Sequence, residues 1–489
     1  MQLHNIDLAI ISLFFIALVA IGVWSFYKNK NTEDFFIAGG KLPWWLSGIS
    51  HHVSGYSGAV FVAYAGLAYT HGFSVYTWWA FTIGVTIIIF ARIFPPIWVR
   101  LQKQMNVQSP LEFLKVRYNT ATQQIIAWSG VILKVFDVGA KWTAVAVLLN
   151  VFTGISIPAG ILIAGIISLI YITFGGLWAV VITDFAQFIV QILAGIVMFV
   201  IVTIAIGGMD KLFTFWEQLP EGNAQLFNEP YTAGFALAFL FINFLSYNGG
   251  TWNLATRYIS SRDEKQAKKA AMLSGALYLI WPLILFLPLW VAPVLLPDLE
   301  DPTQSYALLT LELLPTGFIG LVVASIFANT LSMTSSDINT ISAVITRDII
   351  PTIFRKAERR IASLVIARGA TIIFTVSTIL VAFQYERFGG VLGLIVVWFG
   401  ASAGIVAVPL LFGLLKIFKN SGSLAAILSI VCGIITFIVT KSIQLQLAVE
   451  IGLPTAIAAI VYIVIGMIRL DTTVPEKVRE LFNKLDTSE

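Results

Sequence analysis

The sequence predicts an all-α membrane protein with about thirteen transmembrane helices. Three observations carry that prediction. Of 489 residues, 58% are hydrophobic and only 11% are charged, and the mean hydropathy is +0.88. A soluble domain carries about 25% charged residues. No soluble core hides this much apolar surface, so the solvent is lipid. The apolar residues gather in runs long enough to cross a bilayer, and two of these runs are interrupted by glycine pairs. The net charge is only +4 and the basic residues are scattered, which leaves no patch for nucleic acid. The single Cys432 rules out an internal disulfide and argues against thiolate metal sites.

The first span covers 6–26. It lacks a basic leader and is longer than a signal-peptide core, so it reads as a retained helix. The second span, 45–71, contains "HHVSGYSGAV", with Gly55 and Gly58 around Tyr56 and Ser57. The third, 73–101, carries "YTWWAF". The fourth, 124–152, carries "ILKVFDVGAKWTAV". The fifth and sixth cover 157–175 and 182–207, with Asp184 at the start of the sixth. The seventh, 231–257, contains "SYNGGTWN" and is interrupted at Gly249 and Gly250. The eighth covers 269–294. The ninth, 315–347, contains "LSMTSSDINT". Apolar runs at 363–383, 386–415, 421–441 and 446–468 complete the set.

Glycine costs about 1 kcal/mol in a helix interior. Breaks in a membrane helix free backbone carbonyls, which is tolerable only where they line a cavity. The two breaks lie five spans apart. Spans two to six and seven to eleven therefore form two halves, each opening with an interrupted helix. That arrangement points to an inverted-repeat transporter with its site near the bilayer midplane. Glycines that merely let helices pack closely are the alternative. The resulting division is a first helix and linker over 1–44, a first repeat over 45–207 and an extracellular loop over 208–230. A second repeat over 231–415 follows, then two extra helices and a tail over 416–489.

An odd number of spans puts the termini on opposite sides. Lys28, Lys30, Lys41, Arg100, Lys103, Lys115 and Arg117 fall in one set of loops. Arg262, Lys265, Lys268, Lys269, Arg355, Lys356, Arg359, Arg360, Lys416 and Lys419 join them. The opposite loops hold little beyond Lys211, Arg387 and Lys441, and include the acidic "LPDLEDPTQ". Positive charge stays inside, so the N-terminus is expected outside and the C-terminus in the cytoplasm, in a plasma membrane of bacterial inner-membrane type.

The ninth span holds the densest oxygen chemistry. Ser332, Ser335, Ser336 and Asn339 share one helical face. Hard cations take oxygen ligands, and few formal charges suit a monovalent ion that must leave again. Asp184 is the candidate balancing carboxylate. Serines of membrane helices also bond back to their own carbonyls, which is the competing reading. Asp337 lies about 140° from Ser332, off that face and with no partner legible in the sequence. Intramembrane charges are functional candidates by default. In the fourth span Lys134, Asp137 and Lys141 stack at i, i+3 and i+7. Either they form an internal salt bridge, or the spare lysine meets an anionic solute or stands in for a cation. Arg92 and Arg368 are further charges within spans. His51 and His52 point about 100° apart on a helix, which disfavours one metal and leaves a pH-sensitive gate or a solute hydrogen bond.

These segments resemble the sodium:solute symporter family, which includes sodium/glucose, proline and sialic-acid transporters. The resemblance covers about residues 1–470. It rests on "TEDFFIAGGKLPWWLSGIS", "SPLEFLKVRYN", "YITFGGLWAVVITDFAQ" and "SMTSSDINTISAVITRDI". It implies a leucine-transporter-type five-plus-five inverted repeat, with one helix before it and two after. It further implies a shared sodium site with carbonyls of Val53, Tyr56 and Asn329 and hydroxyls at 332 and 333. Ser332 matches and Met333 departs, because a thioether is a poor sodium ligand. A second sodium site of the family falls on Asp184, Ser332, Ser335 and Ser336. In the solute pocket, Val60 replaces a polar residue of sugar-carrying members. That residue lies three positions after Ser57. Trp78 or Trp79 replaces their glutamate. Tyr247 and Asn248 match pocket-lining positions, and Asn243 lies one turn away.

The resemblance thus implies a non-enzymatic symporter, coupling sodium, with no organic cofactor, to uptake of a small polar solute such as a sugar or sugar acid. Its partners would be solute and lipid bilayer, and a monomer would suffice for transport. A sodium-independent or proton-coupled carrier of the same fold, or a transporter-like sensor, remains the alternative.

Overall fold

The computed structural model describes residues 3–26, 30–354, 364–391, 393–394, 404–468 and 474–486. Among the described residues, eight helices are long and apolar enough to cross a membrane, or up to ten if each bent pair counts as one span. The first is α1 (Asn5–Phe26), which leaves Leu13, Ile16 and Trp24 exposed, as a helix facing lipid does. Its Asp7 is buried. The carboxylate accepts the backbone N–H groups of Gly317 and Gly320 at 2.8 and 2.7 Å, which caps a helix N-terminus with negative charge.

The second span is split, as the glycines require. Helix α2 (Trp44–Val53) stops at Ser54, a 3₁₀ turn spans Gly58–Phe61, and α3 (Ala63–His71) continues. The third span consists of a turn at Ser74–Tyr76, a π-helical turn at Thr77–Phe81, α4 (Thr82–Phe90) and α5 (Phe94–Met105). It bends by 58°. Arg92 falls at that bend and is exposed.

The fourth and fifth spans are α6 (Thr120–Thr153) and the start of α7 (Ile157–Ala205), which meet at 120° around the left-handed Gly154. Helix α7 also contains the sixth span. It kinks at Gly176, where φ is +56° and a Cβ would stand 2.8 Å from the Phe35 carbonyl oxygen. The sixth span therefore begins at Gly175, seven residues earlier than expected. Asp184 lies two turns inside it rather than at its start, because hydropathy alone does not register a glycine kink inside a continuous apolar run.

The seventh span is α8 (Ala233–Leu245), a π-helical turn at Ser246–Gly250 and α9 (Asn253–Ile259). Helix α10 (Glu264–Leu295) packs on α2, and α11 (Phe318–Val344) packs on α7 and continues to Ile353. Next come α12 (Leu364–Ala382), α13 (Gly404–Phe412), α14 (Ser423–Ser442) and α15 (Leu447–Ile468). The eleventh span, 386–415, lies partly outside the described residues, as do Lys28, Arg355, Lys356, Arg359 and Arg360.

The expected tail contains an amphipathic helix, α16 (Glu476–Asp486). It buries Val478, Leu481, Phe482 and Leu485. Arg117 lies 5.5 Å from the Phe482 ring, and Arg100 donates to the Leu485 carbonyl at 2.5 Å while pairing with Glu264 at 2.7 Å. Its 3.6-residue apolar spacing is short and polar overall, which a search for membrane runs passes over.

Gly249 adopts φ +123°, and a Cβ there would stand 2.6 Å from Trp98 Nε1. Gly249→Ala should therefore cost about 1–3 kcal/mol of stability. Thermal unfolding in detergent measures this, with the exposed Gly234→Ala as control, since its Cβ meets nothing nearer than 3.5 Å. Equal melting temperatures for the two variants would show that the break tolerates ordinary residues.

Candidate ion and solute site

The backbone groups freed at the two breaks are met by side chains from the facing elements. Tyr247 Oη donates to the Gly55 carbonyl at 2.6 Å, and Asn253 Nδ2 to the Ser54 carbonyl at 3.1 Å. Tyr278 Oη donates to the His52 carbonyl at 3.0 Å, and Trp98 Nε1 to that of Asn248 at 3.0 Å. The Gly58 N–H donates to Thr330 Oγ1 at 2.9 Å, bringing the first break against α11. Between the breaks lies a cavity. Ser54, Tyr56, Ser57, Val60, Tyr64, Trp79 and Met333 line it, with Lys134, Asp137, Lys141, Tyr247 and Asn253.

Beside this cavity Asp184 is fully buried. Ser332 Oγ donates to its Oδ1 at 2.6 Å, Ser50 donates to its Oδ2, and Ser54 reaches Oδ2 at 3.4 Å. Ser335 and Ser336 turn their hydroxyls to the Ser332 carbonyl at 3.0 and 2.8 Å, which is the back-bonding geometry of serines in helices. Ser336 also meets Ser54 at 2.8 Å. The sequence-predicted set Asp184, Ser332, Ser335 and Ser336 is thus one neighbourhood, with only Ser332 of the three serines bonded to the carboxylate. Asn339 reaches elsewhere, to the Phe36 carbonyl at 3.3 Å.

Sequence reasoning missed Ser50, Ser54 and Arg257. The guanidinium of Arg257, on α9, is fully buried and stands 3.4 Å from Asp184 Oδ2. It donates to Ser50 Oγ at 2.7 Å, to Ser54 Oγ at 3.0 Å, and to Ser336. The signal was the arginine itself in "WNLATRYIS", close after the second break.

The shared-site candidates Val53, Tyr56 and Asn329 are buried, with Val53 ending α2 and Tyr56 inside the break. Tyr56 donates its hydroxyl to Gln191 at 3.1 Å, and Asn329 donates to the Ser325 carbonyl at 2.9 Å. Met333 lines the cavity.

Asp337, which had no legible partner, closes a ring of four charges. Lys134 stands 2.6 Å from Asp137 and 2.9 Å from Asp337. Lys141 stands 2.8 Å from Asp137 and 2.5 Å from Asp337. Neither lysine is spare, which corrects the expectation from the fourth span alone. The ring joins α6 to α11 and has no net charge. Asp137 and both lysines line the cavity, whereas Asp337 lies fully buried and outside the lining.

Three solute candidates fall outside the described lining. Trp78 packs among aromatic rings, 4.8 Å from Phe239 and 5.3 Å from Phe235. Asn243 donates to Thr82 Oγ1 at 2.8 Å, and Asn248 donates to the Phe244 carbonyl at 2.8 Å. The first amide ties α8 to α4, and the second bonds back within its own span. His51 Nδ1 meets Ser274 Oγ at 2.8 Å, while His52 packs between Tyr56 and Tyr278. Among the described residues no group of three or more His, Cys, Asp and Glu is placed to hold a metal ion.

Two interrupted helices facing each other across a central cavity, with a buried carboxylate among hydroxyls beside it, define an inverted-repeat membrane transporter. The sodium:solute symporter family model matches residues 35–433, and the chain belongs to that family. It is 27% identical over 472 residues to a sodium/glucose cotransporter of Vibrio parahaemolyticus, covering 88% of this chain and 84% of that one. It is 26% identical over 348 residues to the sodium/sialic acid symporter NanT of Aliivibrio fischeri, covering 68% and 67%. The structure of a substrate-bound, outward-open Na+-coupled sialic acid symporter superposes with a TM-score of 0.84 at 21% identity, covering 96% of this chain and 98% of that one. The fold is the leucine-transporter type.

Removing one member of a buried ion cluster leaves an uncompensated charge, at about 3–5 kcal/mol. Asp337→Asn should destabilise the protein by that order. Adding Lys141→Met should return part of the loss. Thermal melts of the two single variants and the double variant measure the coupling, and strictly additive losses would show that the ring does not act as a unit.

Proposed function

We propose that this chain imports a small polar organic solute by coupling its movement to inward sodium flow. The observation that carries the reading is the convergence of Asp184, Ser332 and the hydroxyls of the first break beside the central cavity. Carboxylate and hydroxyl oxygens suit a hard monovalent cation, and one formal charge suits an ion that must be released. Sodium would sit among Asp184, Ser332, Ser335 and Ser336 after modest rotation of the serine hydroxyls. A second ion at Val53, Tyr56, Asn329 and Ser332 would lack a hydroxyl at Met333.

The solute reading favours a sugar acid over a neutral sugar. Lys134, Lys141 and Asp137 face the cavity with Ser57, Val60, Trp79 and Tyr247. Lys141 has three N–H donors and spends two on the ring, so an incoming carboxylate can accept the third, while the aromatic rings take the apolar face of the solute. Both ligands must favour the same closed state for coupling to arise. The repeats over 45–207 and 231–415 would be the units that move. The N-terminus would lie outside, the C-terminus in the cytoplasm, and a monomer would carry out transport. A sodium-independent carrier is the second reading, favoured by Met333 at a position where the family pattern places a hydroxyl.

A ligand that binds only the folded state stabilises it by about 2.7 kcal/mol at one hundred times its Kd. The melting temperature should rise in sodium chloride over choline chloride at matched ionic strength. Asp184→Asn and Ser332→Ala should each raise the half-maximal sodium concentration for uptake into proteoliposomes by about tenfold or more, a loss of about 1.4 kcal/mol. Unchanged sodium dependence in both variants would remove this ion site.

A further inference from the structure

Arg257 has a relation to Asp184 that a structural ion pair does not explain. The carboxylate is fully buried and so is the guanidinium, yet they meet only at 3.4 Å on one oxygen. The guanidinium also meets hydroxyls. Nε donates to Ser50 at 2.7 Å, and Nη2 donates to Ser54 at 3.0 Å and to Ser336. Ser50 donates to Asp184, Ser54 reaches it at 3.4 Å and Ser336 meets Ser54, so the arginine draws on lone pairs that a cation bound there needs. A hydroxyl has one proton and two lone pairs. Ser336 spends its proton on the Ser332 carbonyl and offers its lone pairs to Arg257 and towards Ser54. Sodium and the guanidinium cannot both be served by these oxygens, and as like charges in a buried site they repel.

We propose that Arg257 is the resident counter-cation of Asp184 and that sodium displaces it during transport. The inference rests on the sodium reading of the Asp184 site. Displacement also connects ion to solute. Arg257 lies on the short helix α9, which opens with Asn253 and Leu254, and both of those line the cavity. Asn253 donates to the Ser54 carbonyl, and Ser54 is itself a guanidinium acceptor. Release of Arg257 therefore loosens the tie between α9 and α2 at the cavity wall when the ion arrives. When the ion leaves, the guanidinium restores the charge balance of Asp184 without a proton.

The test measures sodium-dependent melting of the purified full-length protein, against choline, for the parent and for Arg257→Gln. The apparent affinity of a site open only part of the time is reduced by the open fraction. An arginine in place nine-tenths of the time thus weakens sodium about tenfold. Arg257→Gln should lower the half-maximal sodium concentration by about that factor. Sodium stabilisation of the parent with an unchanged midpoint in Arg257→Gln overturns the inference and leaves the ion site standing. Absence of sodium stabilisation in both proteins overturns the ion site itself, and the inference with it. Should Arg257→Gln fail to fold, hydrogen exchange of the parent decides. Sodium should speed amide exchange in residues 253–259 while it slows exchange in 44–53 and 318–344. Slowing in 253–259 together with the rest would overturn the displacement.

Discussion

A backbone group without a partner costs several kcal/mol in a membrane interior, and the architecture here follows from how that cost is avoided at two places. Helices α2 and α8 stop in the middle of the protein, at Ser54 and at Ser246–Gly250. The carbonyls set free there are not left to lipid. Tyr247, Asn253 and Tyr278 cover those of the first break, and Trp98 covers Asn248. These side chains come from the seventh span, α10 and α5, so the partners of the breaks also hold the bundle together. The cavity is the space that remains after the breaks have been satisfied. Residues of both breaks, Tyr56 and Ser57 from the first and Ser246 and Tyr247 from the second, therefore line it.

Charge obeys the same rule. Two groups of buried charge flank the cavity, and both are close to neutral. The ring of Lys134, Asp137, Lys141 and Asp337 has short contacts throughout, each lysine touching both carboxylates. It ties α6 to α11 and is built to persist. The Asp184–Arg257 pair is longer, single-pronged and diluted among serines. Buried pairs are held firmly only when their geometry and hydrogen bonds are good. On that criterion the ring is the fixed element and the arginine pair the adjustable one. Both groups meet α11, the ring through Asp337 and the arginine pair through Ser332 and Ser336.

The fold was largely legible because membrane helices announce themselves by length and apolarity, and glycine pairs announce breaks. Less legible was anything set by long-range contact. Asp337 and Lys141 are 196 positions apart, so a helical wheel places Asp337 off the serine stripe but cannot say what it meets. Arg257 reads as one of several basic residues near a loop until folding carries it against Asp184. The kink at Gly176 hides inside an apolar run. Trp78 and Asn248 look like pocket residues by position, yet a π-helical turn rotates the register locally and turns each towards packing partners. Trp79 and Tyr247, their sequence neighbours, face the cavity instead. One residue on a helix is about 100° of direction.

That sensitivity bears on Met333. A thioether replaces a hydroxyl beside the first break, one turn from Asp337 and next to a cavity wall that already carries two ammonium groups. Adding a sodium ion there would place a further positive charge near Lys134 and Lys141 with one side-chain oxygen fewer to hold it. The Asp184 site has the opposite balance. It offers a carboxylate, several hydroxyls and a counter-cation that can withdraw. Electrostatics thus separates two ion positions that look equivalent in the family pattern. Under the proposed displacement, the Asp184 position would exchange its cation while preserving charge, and exchange is what a transport cycle requires.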